Sequence, residues 1–188
     1  MNFKTQVLAA ALTATGLLAA SLPAQAGLVG ATVNSQYYFN GTTYDNVRSF
    51  TADGSAHANF YNYFQVQVTD HQVIYDYSTF TSSATWSGST GWSSGGLYIE
   101  NGNLLDFIGA PSIHSVTVDA SSNLAGLDAG RITFDGDSIA VNWAGLAFNG
   151  NTRVVLNVDA GTVPEPASYA LVAIALAGLG LASRRRKA

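Results

Sequence analysis

A serine and its neighbours offer the most direct route to covalent chemistry. Residues 91–95 have the pattern G-x-S-x-G around Ser93, and Asp106 and His114 follow in the order of an α/β-hydrolase triad. This pattern forms a nucleophile elbow only when a strand precedes the serine and a helix follows it. Here a Ser/Gly-rich segment precedes the motif and a strand-like segment follows it. We therefore expect a loop, and a secreted hydrolase is the third of three interpretations.

Two carboxylates could act as a pair on a glycosidic bond. Glu100 and Asp106 flank Asn101-Gly102, a dipeptide that favours a tight hairpin turn. Across such a hairpin the carboxylates could approach the separation of about 5–5.5 Å that retaining glycosidases use. Acidic residues beside a surface turn explain the pattern equally well. The histidines lack the short spacing of metal ligands, and we expect them at the surface or with ordinary partners: His57, His71 and His114.

Four aspartates are the candidates for a metal site. Ca²⁺ takes carboxylate and carbonyl oxygens as ligands. The sequence places Asp135 and Asp137 around Gly136, with Asp119 and Asp128 nearby, but without the spacing of an EF-hand. The alternative is that Asp135-Gly136 simply makes a hairpin turn. Apart from this possible Ca²⁺ site, we expect no cofactor.

Some aromatic side chains could bind a ligand without catalysing a reaction. Tyrosine and tryptophan combine an apolar ring with a polar group, which suits them to stacking on sugars. Trp86 and Trp92 lie in a Ser/Thr/Gly-rich stretch, residues 78–96, that is typical of an edge strand and a loop. They are the candidate sugar-stacking pair of a carbohydrate-binding module. Trp143 lies in an alternating segment, and we expect it in the core.

The elements that must position these side chains are short strands. Between residues 27 and 162 the apolar runs are brief and are separated by turn residues about every 8–12 positions. Phe64, Val66 and Val68 alternate with Gln65 and Gln67, as in a strand with one buried face. We predict one all-β domain over residues 27–162, a single antiparallel β-sandwich of jelly-roll-like form. Its expected turns include Asn40-Gly41, Asp53-Gly54, Asp70-His71, Asn101-Gly102 and Asp135-Gly136.

The composition of this domain limits its partners. Only three of the eight Lys and Arg residues, Arg48, Arg131 and Arg153, fall within residues 27–162, against eleven acidic residues, so the domain has a net charge of −8. A domain this acidic repels nucleic acid, and we expect no nucleic-acid partner. The chain has no cysteine, which excludes disulfides, thiol catalysis and cysteine-type zinc sites.

Residues 1–26 have the pattern of a signal peptide. Lys4 supplies the positive n-region, an apolar segment follows over residues 7–20, and Ala24 and Ala26 form the A-x-A pattern of a cleavage site. We predict that signal peptidase cleaves after Ala26. The alternative is a retained membrane anchor, which the short apolar run disfavours.

Residues 163–188 consist of three consecutive parts. Pro164, Glu165 and Pro166 should be extended and exposed, because proline fixes φ and restricts the residue before it. We predict a transmembrane helix over about residues 168–183, which carries no charge and is short for a hydrocarbon core of about 30 Å. Positive charge stays in the cytoplasm, so the helix should be a transient anchor in the inner membrane with the domain outside. The basic stop consists of Arg184, Arg185, Arg186 and Lys187.

This tail resembles the PEP-CTERM sorting signal of Gram-negative bacteria. The resemblance rests on Pro164-Glu165-Pro166, on the apolar segment and on the arginine cluster. It implies export through the inner membrane, recognition by an exosortase, which is a membrane-bound cysteine protease-transpeptidase, and removal or exchange of the tail. It also implies a final place at the cell surface or in the extracellular matrix, often with exopolysaccharide. It implies no single activity for the domain, so our first interpretation is a non-enzymatic structural or interaction protein, and the second is a carbohydrate-binding module.

Overall fold

The computed structural model describes residues 27–161, and these residues form antiparallel strands joined by turns. The all-β class predicted from the sequence is confirmed. The predicted signal peptide, the PEP motif, the predicted transmembrane helix and the basic tail lie outside the described residues. Within residues 27–161, no helix has the length and apolar character needed to span a membrane. The helical elements of this part are two short 3-10 turns, Phe60–Asn62 and Ala129–Arg131.

The strands are short, as the spacing of the turn residues requires. In chain order they are β1 (Thr32–Phe39), β2 (Thr42–Thr43), β3 (Arg48–Thr51), β4 (Ala56–Ala58), β5 (Gln65–Val68), β6 (Gln72–Asp76), β7 (Ser83–Thr85), β8 (Trp92–Ser94), β9 (Leu97–Ile99), β10 (Asn101–Ile108), β11 (Ile113–Val118), β12 (Ile132–Phe134), β13 (Ser138–Asn142), β14 (Ala147–Asn149) and β15 (Arg153–Ala160). The longest of them, β1, β10 and β15, occupy the interior of the two large sheets.

Two large sheets and two ribbons account for these strands. The six-stranded sheet has the order β12-β13-β10-β1-β2, with β3 also paired to β1. The five-stranded sheet has the order β11-β15-β6-β5-β4. The two-stranded ribbons are β14-β7 and β8-β9. Many neighbours in these sheets are far apart in sequence, so strand pairing here brings distant parts of the chain together.

Side chains from both large sheets contribute to one buried apolar cluster. Apolar and polar residues alternate in β5, so one face of that strand is buried, whereas β13 is buried along its whole length. The six-stranded sheet contributes Val33, Tyr37, Leu105, Phe107, Ile139 and Val141, and the five-stranded sheet contributes Val66, Val68, Val73, Tyr75, Val154, Leu156 and Val158. Trp143 is fully buried in the same cluster, as its alternating sequence context predicts.

Three of the predicted hairpin turns are confirmed. Asn40 and Gly41 have φ of 56° and 76° and join β1 to β2, the two positive φ values that a type I′ turn needs. The turn at Asp70-His71 joins β5 to β6, and the turn at Asp135-Gly136 joins β12 to β13. Asp53-Gly54 is also a turn, but it connects β3 in one large sheet to β4 in the other.

The hairpin predicted at Asn101-Gly102 is wrong. Both residues begin the long strand β10, which pairs with β1 on one side and β13 on the other. The glycine serves close approach here, since a Cβ atom on Gly102 would lie only 1.9 Å from the carbonyl oxygen of Val141. An Asn-Gly dipeptide therefore marks a place where two backbones meet, and the sequence alone did not distinguish this from a turn.

A polar network crosses the buried face of the six-stranded sheet. Asn103 is fully buried, and its Nδ2 donates to Ser35 Oγ over 2.9 Å and to the carbonyl of Gln36 over 3.1 Å. Asn59 Nδ2 also donates to Ser35 Oγ, over 2.6 Å. Buried polar groups are costly unless they are hydrogen-bonded, and these bonds satisfy them. The network fixes the loop before the first 3-10 turn to the strands below it.

Candidate functional site

Ser93 lies on a β-hairpin and not on a nucleophile elbow. Strand β8 pairs with β9, and the turn between them has φ of 60° at Gly95 and 93° at Gly96. The register places Ser93 opposite Tyr98, so a strand and not a helix follows the motif. A hairpin does not build the strand-to-helix corner that activates such a serine. The loop expected from the sequence is in fact a short ribbon.

The two candidate glycosidase carboxylates lie along one extended segment. Glu100 immediately precedes β10 and Asp106 is within it, six residues further on. At roughly 3.3 Å per residue their Cα atoms are about 20 Å apart, far beyond the roughly 5–5.5 Å of a retaining pair. The expectation that a hairpin brings them together is wrong, because that hairpin does not form. Glu100 instead accepts a hydrogen bond from the Tyr98 hydroxyl, over 3.0 Å.

The four aspartates considered for Ca²⁺ accept hydrogen bonds in three separate turns, and Asp135 and Asp137 share one of them. Asp135 Oδ1 accepts from the N–H groups of Asp137, over 3.1 Å, and Ser138, over 2.8 Å. Asp128 Oδ1 accepts from the N–H of Gly130, over 2.9 Å. Among residues 27–161 there is no group of three or more His, Cys, Asp or Glu side chains that could hold a metal ion. The structure therefore does not gather the four aspartates around one point.

Asp119 is the most strongly bonded carboxylate of this set. Hydrogen bonds from the Ser121 hydroxyl over 2.7 Å, the Ser121 N–H over 2.9 Å and Asn157 Nδ2 over 2.8 Å favour its charged form. They lower the pKa of Asp119 to about 2. The same carboxylate ties the loop after β11 to β15, so its charge supports local structure.

Trp86 is a core residue, and its predicted role in a sugar-stacking pair is wrong. Its side chain is only 6% exposed, and its ring stacks on Phe148 with centroids 4.5 Å apart and planes 19° from parallel. Tyr37, Phe60 and Tyr63 also lie within 6.0 Å of it, measured between ring centroids. With its faces covered by protein, Trp86 cannot stack on a ligand.

Trp92 is half-buried and packs on the outer side of the six-stranded sheet. Its ring lies 4.4 Å from that of Tyr38, at 33° between the planes. Together with Leu97, Ile99 and Ala140 it forms a small apolar cluster beneath the β8-β9 ribbon. The structure thus places the two predicted partners in different clusters, and Trp92 holds the ribbon in place.

Four aromatic residues near the first 3-10 turn form a surface that sequence reasoning missed. We call Tyr44, Phe60, Tyr61 and Tyr63 the aromatic patch. Tyr44 is 53% exposed and Tyr61 is 58% exposed, and both flank the buried ring of Phe60, at centroid distances of 5.9 Å and 4.8 Å. Tyr63 is half-buried and lies 6.4 Å from Tyr61. The exposed rings of Tyr44 and Tyr61 therefore both contact the buried ring of Phe60.

The backbone at this patch has an uncommon conformation. Tyr61 and Asn62 have φ of 46° and 58°, in the left-handed region that few residues other than glycine adopt. Asn59 accepts a hydrogen bond from the N–H of Phe60 over 2.8 Å, and Thr79 Oγ1 donates to the carbonyl of Asn62 over 3.1 Å. Such strain is held only by surrounding contacts and concentrates at functional sites. No local sequence pattern indicates this conformation, because the stretch from Phe60 to Val68 alternates like one continuous strand.

The comparison with protein families finds a match near the C-terminal end of the chain. The family described as "PEP-CTERM protein-sorting motif" matches residues 162–187, which include Pro164, Glu165, Pro166 and the basic cluster. The chain therefore carries a PEP-CTERM protein-sorting motif, and the recognition of this motif from the tail sequence is confirmed. No curated protein and no solved structure matches the chain.

Proposed function

We propose that this PEP-CTERM sorting substrate is a non-enzymatic structural or interaction protein of the cell surface or the extracellular matrix. The observation that carries the proposal is the matched sorting motif at residues 162–187, which directly follows the folded domain in the sequence. Sorting by an exosortase to the cell surface follows from that motif. Before processing, the apolar segment over residues 168–183 would hold the chain in the inner membrane, and signal peptidase would remove residues 1–26.

The placement of the candidate catalytic residues supports a role without turnover. Ser93 is on a hairpin, Glu100 bonds to Tyr98, and Asp106 lies about 20 Å along the chain from Glu100. Each of these side chains has a position that its local structure explains. An interaction role requires only a stable domain with a defined surface, which the shared core of the two large sheets provides.

The arrangement of the sheets favours a jelly-roll-like β-sandwich. Two antiparallel sheets bury their apolar faces in one cluster, and strands distant in sequence lie next to each other within each sheet. Such architectures are common in extracellular binding domains and present loops at the ends of the sheets. This shape would leave the aromatic patch and the β8-β9 ribbon available for contact with a partner.

Mass spectrometry of the protein isolated from its producing cell tests the sorting part of the proposal. We expect a mature chain that starts at Gly27 and has been cut near Pro164-Glu165-Pro166. In cells without the exosortase we expect the tail to stay attached and the protein to stay with the inner membrane. Recovery of the chain from the cytosol with residues 1–26 and 163–188 intact would contradict the proposal.

The aromatic patch favours carbohydrate binding as a second candidate function, consistent with an association with exopolysaccharide. Exposed tyrosine rings offer an apolar face and a hydroxyl group, a combination suited to sugar rings. The exposed Asn62 beside Tyr61 adds an amide that can donate to and accept from hydroxyl groups.

Binding of the exported protein to immobilised exopolysaccharide from the producing cell tests this second function. We expect Tyr61→Ala and Tyr44→Ala to weaken retention at least severalfold. Ile108→Ala is the matched control, because Ile108 is 55% exposed and stands at the opposite end of β10 from the β1-β2 turn. Equal retention of all three variants and the wild type would contradict sugar binding at the aromatic patch.

A further inference from the structure

The chain at Gly27 is already fixed to the turn that joins β5 to β6. Gly27 and Leu28 are buried. The N–H of Leu28 donates to the carbonyl of Asp70 over 3.2 Å, and the N–H of Val29 donates to the Asp70 carboxylate, Oδ1, over 3.4 Å. The residue that follows the predicted signal cleavage site is therefore part of the packed domain and not of a free arm.

Gly27 approaches Asp70 so closely that no side chain fits between them. A Cβ atom on Gly27 would lie 2.6 Å from Oδ1, 2.7 Å from Cβ and 2.9 Å from Cα of Asp70. The Gly27 nitrogen is bonded to the same Cα that would carry this Cβ, at about 1.46 Å, so the nitrogen lies within about 5 Å of the Asp70 carboxylate oxygen. This position thus needs glycine, and it places the backbone nitrogen beside a negative charge.

We propose that removal of the signal peptide creates an ion pair between the new α-ammonium group of Gly27 and the carboxylate of Asp70. Signal peptidase hydrolyses the bond between the Ala26 carbonyl carbon and the Gly27 nitrogen and consumes one water. Ala26 leaves as a carboxylate, and Gly27 keeps its nitrogen as an ammonium group. A neutral amide next to Asp70 in the precursor thereby becomes a cation in the mature chain. The inference rests on export, the part of the proposed function that requires cleavage after Ala26.

The charges around this position favour a cation. Asp70 and Asp159 line the same open groove beside the β5-β6 turn, together with His71. Neither of the two ion pairs found within residues 27–161, Arg48 with Asp45 and His57 with Asp53, involves Asp70. The domain as a whole has eleven acidic residues and three arginines. An α-ammonium group therefore supplies one of the few positive charges and stands next to a carboxylate.

The pair has a definite dependence on pH. An opposite charge within about 4–6 Å favours the ammonium form, so the pKa of the Gly27 α-amino group should be raised above its ordinary value. A raised pKa in the folded state adds stability that is complete below the ordinary α-amino pKa. That stability is lost as the pH rises through the raised value. The mature domain should therefore hold its first residues more firmly at neutral pH than at alkaline pH.

The chain allows a direct measurement of this amine. Lys4 and Lys187 are the only lysines of the sequence, so after removal of residues 1–26 only the Lys187 side chain, where the tail is still attached, competes with the α-amine of Gly27. We would export the full chain, purify the processed protein, and follow acylation of Gly27 near neutral pH by peptide mass spectrometry. The same protein unfolded in urea is the reference. We expect acylation about tenfold slower in the folded protein.

Two variants make the test specific. Asp70→Asn should restore most of the acylation rate, whereas Asp76→Asn, which removes a carboxylate at the far end of β6, should not. If Asp70→Asn does not fold, the pH dependence of acylation in the folded wild type gives the pKa of the amine without a variant. A Gly27 amine that titrates at the same pH in the folded and unfolded chain overturns the ion pair but leaves the proposed function standing. An intact Met1 overturns export, and with it both proposals.

Discussion

Tyr75 on β6 of the five-stranded sheet donates a hydrogen bond to Asn103 on β10 of the six-stranded sheet, with 3.1 Å between the hydroxyl and Oδ1. Both side chains are fully buried. Burial raises the pKa of Tyr75 well above its usual value, so the phenol stays neutral and keeps its proton for this bond. The two large sheets are therefore joined by a directional polar contact as well as by apolar packing.

Removing the Tyr75 hydroxyl should destabilise the domain. In Tyr75→Phe the Asn103 Oδ1 loses its donor in a dry core, at a cost of about 1–3 kcal/mol. Equilibrium unfolding in urea, monitored by far-ultraviolet circular dichroism, measures this loss. Tyr61→Phe is the matched control, because Tyr61 is exposed and its hydroxyl can bond to water. Equal unfolding midpoints for the two variants would show that the contact between the sheets contributes little.

Gly102→Ala should be among the most damaging substitutions in the chain. Its new methyl group would lie 1.9 Å from the carbonyl oxygen of Val141, so β10 and β13 would have to separate. We expect a loss of more than about 3 kcal/mol, or failure to fold, as for other severe core changes. The control is Gly88→Ala, where nothing lies within 4 Å of the new methyl group and the change should stay within roughly 0.5 kcal/mol. A melting temperature near the wild-type value for Gly102→Ala would contradict the close approach.

Asp119 should make the domain sensitive to strong acid. Its pKa in the folded protein is lowered to about 2, below the ordinary value of 3.8, chiefly by the hydrogen bond from the Ser121 hydroxyl. A lowered pKa gives stability that is present above pH 3.8 and is lost as the pH falls towards 2. The melting temperature of Asp119→Asn should therefore fall less steeply between pH 4 and pH 2 than that of the wild type. Parallel curves for the two proteins would contradict this role.

Calcium should not stabilise the domain. Asp135, Asp128 and Asp119 each accept hydrogen bonds in their own turn, and no acidic cluster able to hold a metal occurs within residues 27–161. Thermal melts of the exported protein in millimolar Ca²⁺ and in EDTA should coincide. A higher melting temperature in Ca²⁺ that Mg²⁺ does not reproduce would instead restore the calcium site suggested by the sequence.

The sequence predicted local features of the fold well and the relations between distant residues poorly. Alternation around Val66 and the turn residues Asn40-Gly41 predict strands and a hairpin because both depend on neighbours in the chain. The pairing of β10 with β1 and β13 does not follow from local pattern, and the hairpin wrongly predicted at Asn101-Gly102 shows this. In a sequence, a glycine that is needed for the close approach of two backbones cannot be distinguished from a glycine that is needed for a turn.

The candidate sites also divide into those that depend on one short segment and those that depend on residues distant in sequence. The sorting motif lies in one short segment, and the sequence alone identified it. Trp86 and Trp92 looked equivalent in a polar stretch, but the structure places Trp86 in the core and Trp92 on the β8-β9 ribbon, packed against the six-stranded sheet. The exposure of Tyr61 depends on a left-handed backbone that contacts with distant residues maintain, so no local pattern reveals it.

The scarcity of cations in the domain affects how long it can survive outside the cell. A trypsin-like protease cuts after lysine or arginine, and residues 27–162 offer it only Arg48, Arg131 and Arg153. The guanidinium of Arg48 is paired with Asp45, and that of Arg131 donates to the carbonyl of Ala144 over 2.7 Å. Arg153 begins a central strand of the five-stranded sheet. We expect digestion by such proteases to depend on opening of the fold, which would suit the proposed role of the domain at the cell surface.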